Sequence, residues 1–295
     1  MLKVALVQQR CSADIAANQA ESEQQVRLAA AGGAALVVLQ ELHSGLYFCQ
    51  TEDTGQFDLA EPLDGPTRQR FEALAKELDI VLVISIFEKR ATGLYHNTAL
   101  VMDAGNGCAG FYRKMHIPDD PGFYEKFYFT PGDAGGELHG FRPIQTRVGK
   151  LGVLVCWDQW YPEAARLMTL AGADMLIYPT AIGWNPDDSD AEKQRQLGAW
   201  QIVQRGHAVA NGLPVIVPNR TGIELSPNGE KIDFWGNSFV AGPQGEILAQ
   251  APAGEPATLL VDIDLARSEA VRRIWPFLRD RRVDGYQNII RRFID

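Results

Sequence analysis

The chain has 295 residues, 46% of them hydrophobic and 22% charged, with 37 acidic against 28 basic side chains and a net charge of -9. That length allows a substantial core in one large α/β domain or two small ones. The acidic balance argues against nucleic acid or an anionic membrane as partner, because phosphate binding needs a basic face.

From the N-terminus, LKVALVQ reads as a strand, followed by a helix from about Ser12 to Ala31, the strand ALVVLQEL, a helix from Pro66 to Leu78 and the strand IVLVISIFEK. HNTALVMDA and CAGFYRK flank the turn residues Gly105 to Gly107 and predict a hairpin, so the sheet is mixed. An irregular loop follows from His116 to Gly136. The pattern then resumes with PIQTRV, LGVLVC, a helix from Tyr161 to Ala171, DMLIYPT, a long helix from Ala191 to Asn211 and LPVIVPN. A hairpin-like WGNSFVAGPQGEILAQA and the strand ATLLVDIDL complete the alternation. The runs VVL, VLVIS, LGVLV and MLIYP are apolar throughout, as in strands covered on both faces. No linker rich in Pro, Gly or Ser interrupts the chain, so one domain over residues 1–295 is expected, with two mixed sheets and outer helices.

Apolar runs such as Ala34 to Leu39 and Ile80 to Phe87 are too short to span a bilayer, and MLKVALVQQR enters a strand pattern at once. A soluble protein without a targeting segment is expected. Four cysteines, at 11, 49, 108 and 156, show no CxxC spacing, which suits a reducing compartment and a cytoplasmic location. Five histidines, at 43, 96, 116, 139 and 207, lack HExxH or HxH spacing, so no metal site is expected. GxSxG is absent as well.

Three reactive side chains stand at ends of the expected strands: Glu41 closes ALVVLQE, Lys114 closes AGFYRK and Cys156 closes LGVLVC. Sheets of this class place ligands at such ends. Taken singly, a carboxylate is most often a cap, a lysine a surface charge and a cysteine a core residue. Together they suit attack on an amide-like carbon. The cysteine is nucleophilic as thiolate, the glutamate can take and return its proton, and the lysine ammonium can stabilise a developing oxyanion.

LVVLQEL, YRKMHIPD and GVLVCWDQWYPEAAR occur in an order that resembles the carbon-nitrogen hydrolases of the nitrilase superfamily, over nearly the whole chain. The resemblance implies an α/β fold of the four-layer α-β-β-α sandwich type, with Glu41, Lys114 and Cys156 as its triad and no cofactor. FYEKFYFTPGD resembles the block that carries a second glutamate, which would be Glu125. It also implies a homo-oligomer, a dimer or larger, with the tail from Ile274 to Asp295 able to wrap a neighbour or pack on its own subunit.

ELHSGLYFCQTED, RKMHIPDDPGFYEKFYFTPGD and YPTAIGW resemble the superfamily branch that acts on N-carbamoylputrescine in polyamine biosynthesis, although Asp120 stands where that branch more usually has glycine. Such a small-molecule carbamoyl amine needs an apolar sleeve for its methylenes and a carboxylate or aromatic face for its ammonium. Candidates are Tyr47, Phe48, Trp184, Asp187 and Asp188, with Trp157 beside the cysteine shaping the oxyanion site. Asp187 and Asp188 read first as an acidic cluster before the long helix, favoured by its dipole, and second as partners of the ammonium. N-carbamoyl-β-alanine, N-carbamoyl-D-amino acids and ω-amides remain alternatives, as does a non-catalytic scaffold. A substrate carboxylate would call for an arginine, and the direction of Arg220 in VPNRTG is open from sequence.

Overall fold

A computed structural model describes residues 1–135 and 140–294. Of the segments singled out above, Gly136, His139 and Asp295 lie outside the described residues. The first half contains β1 (Leu2–Gln8), α1 (Ile15–Ala31), β2 (Leu36–Val38), α2 (Pro66–Leu78), β3 (Val81–Ala91), β4 (Leu94–Asp103) and β5 (Gly107–Arg113). After the one-turn α3 (Glu125–Tyr128) come β6 (Ile144–Thr146), β7 (Gly149–Val153), α4 (Pro162–Leu170), β8 (Met175–Ile177), β9 (Gly183–Trp184), α5 (Asp190–Asn211) and β10 (Val215–Val217). The chain continues through β11 (Thr221–Leu225), β12 (Lys231–Trp235), β13 (Phe239–Ala241), β14 (Ile247–Gln250), β15 (Ala257–Ile263) and α6 (Leu265–Ile274).

Side-chain alternation explains the layers. Val4, Leu6, Leu36, Val38, Val81 and Val83 point into a core shared with Leu151, Val153, Met175 and Ile177 of the second half. Their neighbours Ala5, Val7, Val37, Leu39, Leu82 and Ile84 point the other way, against Val26 and Ala29 of α1 and Phe71, Leu74 and Ala75 of α2. Strands clothed on both faces read as unbroken apolar runs, as the sequence predicted. One mixed sheet has the order β15-β1-β2-β3-β4-β5 and the other β14-β13-β10-β8-β7-β6. The strands β1, β2 and β3 run parallel, as do β7, β8 and β10, with antiparallel strands on their flanks. The expected four layers are therefore present, with α1 and α2 on one outer face and α4 and α5 on the other.

Several boundaries differ from the sequence reading. α1 begins at Ile15, because the Asp14 carboxylate accepts from Ala17 N and caps the first turn. α5 begins at Asp190 after the Ser189 cap and ends at Gly212, whose φ of 59° suits glycine. A third sheet, β11-β12-β9, had not been anticipated, and Trp235 belongs to it rather than to the β13-β14 hairpin. Its β9 is two residues long, too short to leave a period in the sequence.

Candidate active site

Glu41 lies three residues beyond β2, and the backbone that carries it is pinned by buried groups. Leu42 has φ of 48°, a left-handed conformation that a branched side chain adopts only at a cost of about 1 kcal/mol or more. Leu42 N donates to Ser85 Oγ at 3.1 Å. Arg220, wholly buried, donates to the carbonyls of Leu42 at 2.7 Å, Glu41 at 3.2 Å and Gly45 at 2.8 Å. It also pairs with Glu224 at 2.6 Å, whose second oxygen accepts from Tyr47 N at 2.6 Å. Arg220 thus braces the loop behind Glu41 and does not line the cavity at Cys156.

Lys114 follows β5 directly, with its amide held by Asn97 O at 2.9 Å. Its ammonium donates to Glu41 Oε1 at 2.9 Å and to Glu125 Oε2 at 2.6 Å. Glu41 Oε1 also accepts from Asn97 Nδ2 at 2.6 Å, and Glu125 Oε1 accepts from Tyr47 Oη at 2.7 Å. Glu41 Oε2 has no hydrogen-bond partner among the described residues. Burial alone would lower the lysine pKa, but the two carboxylates outweigh it and hold the ammonium charged, well above its ordinary value. Burial raises the Glu125 carboxyl to about 7, against the opposing pull of Lys114.

Cys156 stands three residues past β7, at the first position of a 3-10 turn that runs to Trp160 and leads into α4. Its φ is 43°, and its amide donates to Pro179 O at 2.9 Å. The sulfur lies 3.8 Å from Ala181 O. Burial, then the charge of Glu41, pushes the thiol well above its usual pKa, while Lys114 draws it down. A thiol in this state needs a base to take its proton as it attacks. Cys156 is 4% exposed, whereas Glu41 and Lys114 have no exposed surface, so Cys156 is the member of the trio that borders a cavity.

A cavity of about 390 Å³ opens at Cys156. Trp157, Trp160, Phe123 and Trp235 form aromatic walls, and Asp120, Glu125, Asn185, Asp188 and Gln196 supply polar groups. Among its described lining residues there is no arginine, lysine or histidine. Of the sequence candidates for substrate contact, Trp157 and Asp188 line this cavity. Tyr47 is buried with its hydroxyl on Glu125, Phe48 stacks on Phe87 at 4.9 Å, and both border a separate, mainly apolar cavity of about 460 Å³. Trp184 packs on Trp235, with its indole N–H donated to Lys193 O, and Asp187 is exposed on the turn before α5.

Asn97 and Glu224 had no signal in the sequence, and the direction of Arg220, open there, is toward the loop behind Glu41, because the partners of all three come from distant segments. Asp120 was noticed only as a departure from pattern, and the fold places it at the cavity. All four cysteines are free, and no group of three or more His, Cys, Asp or Glu side chains among the described residues could hold a metal ion.

A carbon-nitrogen hydrolase family model matches residues 3–273. An N-carbamoylputrescine amidase of Arabidopsis thaliana is 44% identical over 291 residues, 97% of this chain and 94% of that protein. A citrullinase of Francisella tularensis is 39% identical over 293 residues, 99% of each. The crystal structure of a carbon-nitrogen hydrolase from Helicobacter pylori G27 superposes with a TM-score of 0.95 at 51% identity, covering 99% of each chain.

Proposed function

The chain belongs to the carbon-nitrogen hydrolase family, and we propose that it hydrolyses N-carbamoylputrescine to putrescine, carbon dioxide and ammonia. The observation that carries the substrate is the cavity lining: Asp120 and Asp188, beside a Glu125 already paired with Lys114, and no basic side chain among the described lining residues. Such a lining attracts a ligand that ends in an ammonium and repels one that ends in a carboxylate. The aromatic walls suit four methylenes. Citrulline bears the same carbamoyl group, but its α-carboxylate would find no cation here.

Cys156 attacks the carbamoyl carbon while Glu41 takes the thiol proton, so a C–S bond forms and the carbonyl becomes an oxyanion. Lys114, fixed by two carboxylates, stabilises the charge that develops. Glu41 passes its proton to the departing NH2 group, the C–N bond breaks and ammonia leaves. Glu41 then deprotonates a water that attacks the thiocarbamate. The C–S bond breaks, the proton returns to sulfur, and the released carbamic acid divides into putrescine and CO2. Glu125 holds the ammonium of Lys114 in place from the cavity side.

We read residues 1–295 as one hydrolase domain with 274–295 as a tail, a reading supported by the family match, which ends at Arg273. A homo-oligomer is the assembly we propose. The test of function is ammonia release from equal concentrations of N-carbamoylputrescine, citrulline, N-carbamoyl-β-alanine and an N-carbamoyl-D-amino acid, with Cys156→Ala as blank. Preference for the first is expected. Preference for any acid would keep the chemistry and overturn the substrate.

A further inference from the structure

We propose that Asp158 is the positioning residue that fixes Cys156 relative to Lys114. The proposal rests on the reading of Cys156 as nucleophile. Asp158 has no exposed surface. Its Oδ2 accepts from Val155 N at 2.9 Å and from Tyr112 Oη at 2.9 Å. Its Oδ1 accepts from His116 N at 3.0 Å and from His116 Nδ1 at 2.6 Å, so that ring nitrogen carries the proton. A carboxylate offers about four acceptor sites, and all are taken.

The donors are placed at the two segments that must be held together. Val155 immediately precedes Cys156, while Tyr112 and His116 stand two residues before and two after Lys114. Asp158 therefore joins the cysteine turn to the end of β5, which no backbone ladder among the described residues does. It also closes the turn itself, because its amide donates to Val155 O at 3.1 Å around the left-handed Cys156. The His116 ring is in turn clamped by Tyr161, stacked 3.7 Å away at an interplanar angle of 6°. Tyr161 N donates to Asp158 O at 3.2 Å, so the clamp returns to the same turn.

The requirement is for a carboxylate specifically. Asparagine has one acceptor oxygen, and in either orientation its NH2 would face a fixed backbone donor, Val155 N or His116 N, and leave that N–H without its acceptor. Misplacement of a nucleophile by about 1 Å costs on the order of 10²-fold in rate, without loss of substrate binding. Asp158→Asn is expected to melt as a folded protein, to keep KM within about threefold and to lose kcat by about 10²-fold. Alkylation of Cys156 by iodoacetamide, which needs no substrate, should change rate in the same variant. Tyr112→Phe removes one of the four donors and is expected to lower kcat by about tenfold at unchanged KM.

Wild-type kcat in folded Asp158→Asn, or a loss confined to KM, overturns the proposal. Should Asp158→Asn fail to fold, Tyr112→Phe decides: wild-type kcat there overturns it, and the expected split supports it. Activity in Cys156→Ala would instead sink the nucleophile assignment itself, so the two failures are distinguishable.

Discussion

At the scale of the residue, the account turns on one sulfur and two carboxylates. Cys156→Ala and Cys156→Ser are expected to abolish ammonia release while melting as the wild type does, since the side chain loses few atoms. Normal turnover in either would remove Cys156 from the mechanism. Glu125 gives a pH signature. Burial lifts its carboxyl from 4.5 to about 7 in the folded protein. Between those values the folded chain binds the extra proton, so this group's contribution to stability is full below pH 4.5 and is lost as pH rises through about 7. Activity should run the other way, because both Glu125 oxygens accept hydrogen bonds from Lys114 and Tyr47 and protonation breaks the pairing. The pH profile of kcat/KM in wild type should show an acid limb near pH 7 that Glu125→Gln lacks; an unmoved limb in the variant would count against this assignment. Glu41, Lys114 and Cys156 were legible because each follows an apolar run closely, and Glu125 because of its surrounding block. Tyr47, expected as a substrate contact, is not in the lining of the cavity at Cys156: its hydroxyl is committed to Glu125 and it borders the separate cavity.

At the scale of the element, long apolar strands and capped helices declared themselves, whereas elements defined by their partners did not. β9 has two residues, and β11 and β12 pair across SPNG without an apolar run as long as those of the core. The brace formed by Arg220 and Glu224 was equally hidden: it joins β11 to the loop after β2, and nothing in VPNRTG tells which way an arginine points. Its energetic weight can be bounded. Removing one partner of a buried ion pair strands the other charge, which costs about 3–5 kcal/mol. Arg220→Met is therefore expected to lower the unfolding free energy by about that amount in urea titration and to weaken kcat through the loosened Glu41 loop. A change below about 1 kcal/mol would show that the brace is unimportant.

At the scale of the whole molecule, the C-terminal segment is unlike the rest. Ile274, Phe293 and Ile294 are exposed, and Ile290 is 90% exposed, on a stretch that contains only short 3-10 turns after α6. The charge of Arg281 is felt at Arg166 of α4, where Leu167 and Leu170 are also exposed. Exposed apolar side chains of this number are of the kind that contacts between subunits cover. In the homo-oligomer proposed above, a chain ending at Arg273 should contain fewer subunits per particle by light scattering than the full chain; an unchanged number of subunits would assign the tail to its own subunit. No helix is long and apolar enough to cross a membrane among the described residues.

The central claim is that an acidic, aromatic-walled cavity delivers a cationic carbamoyl amine to Cys156. It is tested most directly by the ratio of kcat/KM for N-carbamoylputrescine to that for N-pentylurea, which has the same length and no charge. The account predicts a ratio of about 10² or more, falling toward one in Asp188→Asn combined with Asp120→Asn. Equal kcat/KM for the two compounds in the wild-type protein would contradict it.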